Sequence, residues 1–325
     1  MKILILGGTQ FVGLVTAQEA VRRGHDVTIL NRGSRPAPKG VRAVVGDRRA
    51  PNGYAGLDGI HFDAVIDTWQ NEPVVVKGLL DALRGRMGHY IYVSTISTYK
   101  FVAGTPPFDE DTPQYGPNSH AEDYINDKVA GEMEALQCGV PTLIARPGVI
   151  LGREEGLPGR LGWWLSRMER GAPTLAPGPR DLSMQFIDVR DIANFLVDGA
   201  EKRLSGAYNV VSEPGHMTYG SFLDVINETA GNKAELCWLA QEQFQETDVT
   251  YWTELPISIP LKVSFIYQAT PKKALAAGLK VRPARDTIQD TWDWLKDPDT
   301  VFQSTEPLGL DPIKEAKVLK EYFNK

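Results

Sequence analysis

Short apolar runs and helical patterns alternate through the first half of the chain. Lys2–Leu6 is apolar after its first residue and reads as a buried strand, and a helix begins near Phe11. Arg22 and Arg23 fall in that helix's last turn, where cations suit the carbonyl end of the dipole, and Gly24 follows as a stop. Asp26–Leu30, Val41–Val45 and Ala64–Asp67 predict three more strands. Between Glu72 and Arg84, the residues Val75, Val76, Leu79, Leu80 and Leu83 share one helical face. Tyr90–Val93 and Thr142–Ala145 predict two further strands, separated by a helix around Asp123–Gln137. Strands that alternate with helices are covered on both faces, so the pattern predicts an α/β, doubly wound parallel sheet.

After Arg146-Pro147 the rhythm loosens. Gly/Pro-rich segments (Gly156–Gly162, Ala172–Pro179) alternate with short helices such as Asp188–Ala200, and Asp311–Lys325 reads as a charged terminal helix. Six of the seven tryptophans, all but Trp69, lie beyond residue 160, and an apolar stretch runs through Val249–Pro260. The expected division is residues 1–150 as one domain and residues 151–325 as a smaller, aromatic-rich lobe, with segments returning to the first. Composition narrows the function classes. Thirty-five basic against forty-one acidic residues give a charge of −6, which argues against a broad nucleic-acid face. Cys138 and Cys237 stand far apart with no CxxC, and five histidines show no HxxxH or HExxH spacing, so no metal is expected. No apolar run approaches the roughly 20 residues that span a bilayer. Met1-Lys2 leads straight into strand residues and then glycines, unlike a signal peptide, and a cytoplasmic location is expected.

Candidate chemistry begins at Gly7-Gly8-Thr9-Gln10-Phe11-Val12-Gly13, between the first strand and the first helix. Free backbone N–H groups and the positive helix end point outward there, which suits a pyrophosphate. A plain strand–turn–helix junction is the other reading, and Gln10 stands where the motif's central glycine would be. After the second strand the chain offers Asn31, Arg32 and Arg35 and no carboxylate, which favours NADP(H), with NAD(H) left open and a solvated surface turn as the alternative. Asp47, beside Arg48 after the third strand, stands where an adenine amino group could donate to it.

Among eleven tyrosines, only Tyr124 has a lysine four residues on, Lys128. That spacing puts both on one helical face. An ammonium beside a phenol favours the phenolate and brings a group of pKa near 10 toward useful acid–base work. Thr95 follows the strand Tyr90–Val93 at the carboxyl end where such sheets bind ligands, and its hydroxyl can hold a substrate oxygen. A turn-forming role is the plainer reading of Thr95.

These residues together resemble the extended and atypical short-chain dehydrogenase/reductases, the NAD(P)-dependent epimerase/dehydratase family. Tyr90–Val93 with Ser94-Thr95 is similar to the family's strand and active-site serine or threonine. Tyr124-Ile125-Asn126-Asp127-Lys128 matches its YxxxK, and Arg146-Pro147-Gly148-Val149 resembles its cofactor-closing segment. Phe186–Ala193 and Tyr208-Asn209-Val210 are similar to later family segments. The resemblance implies a Rossmann-type sheet carrying a smaller C-terminal substrate lobe. It also implies Tyr124 as acid/base, Lys128 on the nicotinamide ribose, Thr95 on the substrate, and Asp67, Thr68, Pro147 and Val149 along the coenzyme. The expected activity is hydride transfer at a carbinol or carbonyl carbon of a small molecule, as oxidoreductase or epimerase/dehydratase. Homodimerisation through two helices, one bearing the Tyr124 pair, is a further implication. Gly-Gly-Thr-x-Phe-Val-Gly is similar to an atypical branch that includes plastid RNA-binding proteins, so a non-catalytic redox sensor or RNA binder on the same fold is the alternative. Met184 and Gln185 stand where sugar-nucleotide epimerases carry a diphosphate-binding arginine, and Arg180 is the nearest upstream arginine. Trp163, Trp164, Trp238 and Trp252 would suit an aromatic or apolar substrate, or plain core packing.

Overall fold

A computed structural model describes residues 1–101, 107–156, 159–300 and 308–325. Residues 157 and 158 of the Gly/Pro-rich segment Gly156–Gly162 therefore lie outside the described residues. The chain divides into two compact units. The first comprises Met1–Ile150, Val189–Ser212 and Ala269–Val281, and the second comprises Leu151–Asp188, Glu213–Gln268 and Arg282–Lys325.

The first unit is built on β1 (Lys2–Leu6), α1 (Phe11–Arg22), β2 (Asp26–Asn31), β3 (Arg42–Val45), β4 (Ala64–Asp67), α2 (Pro73–Ala82), β5 (Tyr90–Val93), α3 (Asp123–Leu136) and β6 (Thr142–Pro147). Helix Val189–Lys202 and strand Gly206–Val210 return to it. All seven strands pair in parallel, in the order Gly206–Val210, β6, β5, β4, β1, β2, β3. The chain steps outward from β1 through β2 to β3, then crosses to the other side of β1 with β4. That reversal is the topological switch point, where a doubly wound sheet opens a crevice at its carboxyl edge. The predicted α/β, Rossmann-type sheet is therefore the fold of this unit. β6 runs two residues past its predicted end because Arg146 and Pro147 stay in register with Asn209 and Val210.

Both faces of the sheet are apolar for the predicted reason. Leu4, Leu6, Val65, Tyr90, Tyr92 and Ile144 pack with Val76, Leu79 and Leu80 of α2 and Ala135 of α3. On the returning helix, Asp198, Glu201 and Asn194 all receive hydrogen bonds from Arg23, at the end of α1. A buried polar network crosses the core below β5. Arg146 forms a two-pronged pair with Glu132 of α3, at 3.0 and 2.7 Å, and donates to the Tyr99 hydroxyl at 2.9 Å. Tyr99 in turn donates to Asn209 at 2.7 Å, and Ser94 donates to Glu132. Every charge in this network has an opposite charge or a dipole to meet, as burial requires.

The second unit contains helix Arg160–Arg170, the parallel strand pair Ala172–Pro177 and Ala234–Leu239, and helices Tyr219–Thr229, Ala284–Lys296 and Pro312–Phe323. Its buried ion pair joins Arg167 to Glu315 at 2.9 Å, and Glu315 also accepts from the Leu175 N–H. Among the described residues, no helix is long and apolar enough to cross a membrane.

Close packing between α3 and the sheet depends on Gly131. A Cβ there would lie 2.3 Å from the Tyr92 hydroxyl and 2.7 Å from the ring carbon bearing it. Gly131→Ala is expected to destabilise the protein by about 1–3 kcal/mol, the usual penalty of overpacking. Tyr92→Phe in the same chain should recover part of that loss. Urea unfolding of the single and double variants measures both, and an unchanged midpoint for Gly131→Ala would contradict the packing.

Candidate functional site

A cavity of about 500 Å³ opens at the switch point of the first unit. Its wall includes Gly7, Thr9 and Gln10 after β1, Asn31, Arg32 and Arg35 after β2, and Asp47 and Arg48 after β3. Thr68, Trp69, Gln70 and Asn71 close it after β4. Four separate loops thus converge because parallel strands send all their carboxyl ends to one edge.

The first loop is tight at the atomic level. Gly7 and Gly8 hold φ of +97° and +77°, a region that favours glycine. A Cβ on Gly8 would strike Ile29 at 2.4 Å, and one on Gly13 would lie 2.8 Å from the Gly8 nitrogen. Gln10 is extended, at φ −155°, and caps nothing with its side chain. Phe11, the first residue of α1, is held at φ +41°, strain of the kind that functional turns carry. Val12 and Gly13 are buried in the first turn of the helix. Val12 thus reaches the core rather than the cavity wall. Thr68 ties the β4 loop to β1 by donating to the Leu6 carbonyl at 2.9 Å.

Asp67 and Arg48 face each other. Two bonds of 2.7 Å join the guanidinium to the carboxylate, and Tyr90 and the Trp69 N–H donate to the same carboxylate at 2.8 and 2.9 Å. Burial opposes ionisation of Asp67, yet Arg48 and the other donors hold its carboxyl below the usual range. The Arg48 and Arg49 guanidiniums lie 4.9 and 5.2 Å from the Trp69 ring centre. Arg48 thus lines the cavity with Asp67 buried behind it, outside the lining, and the pair fixes the Trp69 wall. Asn31 and Asp47 shape their own turns, accepting from the Gly33 and Arg49 N–H groups at 2.9 and 3.0 Å. Ser34, Arg49, Gln70 and Asn71 are lining residues that sequence reasoning passed over. Their place just beyond the ends of β2, β3 and β4 was the available signal.

The candidate acid–base residues lie on α3 and at the end of β5. Tyr124 is 41% exposed in the first turn of α3, whereas Lys128, one turn on, is 2% exposed. Lys128 donates to the main-chain carbonyls of Trp69 and Val93 at 2.5 and 2.6 Å, and its ammonium lies 5.0 Å from the Tyr92 ring centre. It thus staples the loop after β4 to the end of β5. Burial pulls its pKa down to about 7, against the favourable charges of Asp67 and Glu132. Tyr92 is raised, first by burial and then by Asp67, Glu132 and Tyr124. Thr95 caps the short helix Ile96–Thr98, accepting from the Ser97 N–H at 3.2 Å, while its own hydroxyl donates to Ser97 Oγ at 3.2 Å. Pro147 ends β6 and Val149 follows two residues later. Among the described residues, no group of three metal-ligating side chains forms.

Lys128 links stability to pH. An unfolded lysine keeps its proton to about pH 10.4, while the folded one releases it near 7. Between those values the unfolded chain holds the extra proton, so the wild type gains stability as pH rises. Lys128→Met lacks that gain. Its stability relative to wild type should therefore fall steadily from pH 7 to pH 10 in denaturant melts, and a constant difference would refute the depressed lysine.

A family model described as "NAD dependent epimerase/dehydratase family" matches residues 3–210. The chain is 28% identical over 230 residues to the chloroplast stem-loop binding protein of 41 kDa b of Arabidopsis thaliana, covering 65% of this chain and 59% of that one. It is 31% identical over 145 residues to UDP-glucose 4-epimerase of Corynebacterium glutamicum, covering 37% and 42%. The chain thus spans less than two thirds of the length of either relative. The Bordetella bronchiseptica enzyme WbmH in complex with NAD+ shares the fold, with a TM-score of 0.70 at 17% identity over 92% of this chain and 99% of that one. The fold, the switch-point cavity and the match over residues 3–210 agree: this chain belongs to the NAD dependent epimerase/dehydratase family.

Proposed function

We propose that this protein is a nicotinamide-dinucleotide oxidoreductase or epimerase/dehydratase acting at a carbinol or carbonyl carbon of a small molecule. The observation that carries this reading is the switch-point cavity, where the glycine loop and four arginines converge. The fit to a dinucleotide is local and physical. Gly8 and Gly13 let the loop lie tight against Ile29 and against itself at the start of α1, where free N–H groups suit a pyrophosphate. Arg32 and Arg35 line the wall after β2, which supports a 2′-phosphate and hence NADP(H). With a chain charge of −6, that phosphate must be met by these local groups. The same charge supports a small-molecule substrate over nucleic acid.

A bound nicotinamide supplies the hydride acceptor or donor. Tyr124, 41% exposed at the start of α3, gives or takes the proton at the substrate oxygen. Thr95 Oγ1 holds that same oxygen beside it. Lys128 positions the Trp69 and Val93 carbonyls and so sets the distance between the coenzyme loop and Thr95. Val74, Met133 and Leu136 are exposed apolar residues on α2 and α3, which supports a homodimer through these helices.

Tyr124→Phe should lower turnover by about 10²–10⁴-fold, the usual worth of one acid–base group, and leave coenzyme affinity nearly unchanged. Full activity in that variant would sink the mechanism. Arg32→Ala should shift the ratio of NADPH to NADH affinity toward NADH by about ten- to a hundredfold, as expected for a lost charged hydrogen bond. Fluorescence titration with both coenzymes reads this, and an unmoved ratio removes the assignment.

A further inference from the structure

The aromatic residues of the second unit separate into two groups. Trp163 and Trp164 pack edge to face at 4.8 Å, and Trp164 donates its indole N–H to the Pro256 carbonyl at 2.7 Å. They are satisfied core. Tyr219, Trp238 and Tyr251 are different. The two hydroxyls and the indole nitrogen are shut off from solvent and meet no hydrogen-bond partner, and Tyr219 is only 2% exposed.

Two of these groups sit on rings in direct contact. The Tyr219 and Trp238 rings meet edge to face at 6.2 Å. Burial, then the phenols of Tyr267 and Tyr251, hold the Tyr219 hydroxyl well above its ordinary range. Tyr267 has an outlet, donating to the Ile257 carbonyl at 3.2 Å. A buried donor without an acceptor forfeits the hydrogen bond that water gave it in the unfolded chain. Two such donors on touching rings, and a third on a phenol close enough to act on Tyr219, call for one explanation. Each can donate, and an indole N–H can do nothing else, so the missing complement is an acceptor.

The surroundings define the rest of that complement. The chain beside Tyr251 is strained, with Trp252 and Ile257 both at φ +70°, a conformation that bulky side chains rarely adopt. Trp252 is 40% exposed, with the Arg160 guanidinium 5.3 Å from its ring centre. Arg180 lies 4.6 Å from the Trp238 ring centre and is paired with Asp224, as Arg160 is with Glu155, so the cluster carries no surplus charge to attract an anion. We propose that Tyr219, Trp238 and Tyr251 form a binding site in the second unit for a neutral carbonyl compound with an aromatic or alicyclic body, whose oxygen accepts their hydrogens. As the substrate class of the reaction proposed above this rests on that reading, whereas the binding itself does not.

Acetophenone and ethylbenzene separate the acceptor from the apolar body. Each is titrated into the full chain without coenzyme and followed by saturation-transfer NMR and tryptophan fluorescence. Acetophenone should bind at least about tenfold more tightly. Tyr219→Phe should weaken acetophenone about five- to tenfold, the worth of one neutral hydrogen bond. Its melting temperature should not fall, since the lost hydroxyl has no protein partner. Trp238→Phe should weaken acetophenone similarly, and it decides the matter if Tyr219→Phe fails to fold. Equal binding of the two probes, affinity unmoved by either substitution, or no saturable binding to wild type would each mean a buried water only and overturn the site. Tyr124→Phe, placed in the other unit, should bind acetophenone as wild type does. Loss of turnover there tests the catalytic reading, and loss of probe binding in the Tyr219 and Trp238 variants tests the site.

Discussion

One buried carboxylate organises the first unit. Asp67 ends β4 entirely out of water, a position that is tenable only because Arg48, Tyr90 and the Trp69 N–H meet it from three directions. Removing one partner of such a pair strands a charge and costs about 3–5 kcal/mol. The pair also does geometric work. It holds the loop after β3 against the end of β4 and sets Trp69 as a wall of the cavity. Through the Trp69 carbonyl it fixes one anchor of Lys128. The loops that line the cavity and helix α3 are therefore joined by a single chain of satisfied polar contacts.

That chain changes the meaning of Lys128. A lysine four residues after a tyrosine suggests an ammonium beside the phenol that lowers its pKa. In the folded protein its nearest partners are two main-chain carbonyls and the face of Tyr92. On their shared face Tyr124 stays half-exposed at the start of α3 while Lys128, one turn on, is buried, because Lys128, Val129, Gly131 and Glu132 are covered. Glu132 and Arg146 are locked together on the sheet side of that helix, with Ser94 bonded to Glu132.

Much of this was legible in the sequence, for local reasons. The fully apolar runs Ile3–Leu6 and Ala64–Ile66 can only be central strands covered on both sides. The glycines of Gly7–Gly13 mark a turn whose φ values few other residues tolerate. Arg32 and Arg35 were singled out by their distance past the glycine loop, and both reach the cavity. Arg48 and Asp67 were legible as residues near a coenzyme but not as a pair. Nineteen positions separate them, and no periodicity announces an ion pair between two loops. Similarly, Trp163 and Trp238 look alike in the sequence. Only packing shows that the indole of Trp164 beside the first has a carbonyl to bond, while that of Trp238 has none.

The chain's own order of residues determined the element sequence, the parallel sheet, the glycine turn and the types of side chain available at the carboxyl edge. These follow from short-range rules: side-chain periodicity, backbone sterics and the obligation to cover apolar strands. Tertiary structure decided which charges neutralise one another, how deeply each candidate on α3 is buried, and which buried donors lack an acceptor. Those outcomes depend on desolvation, and desolvation is set by neighbours that the fold brings together from distant positions.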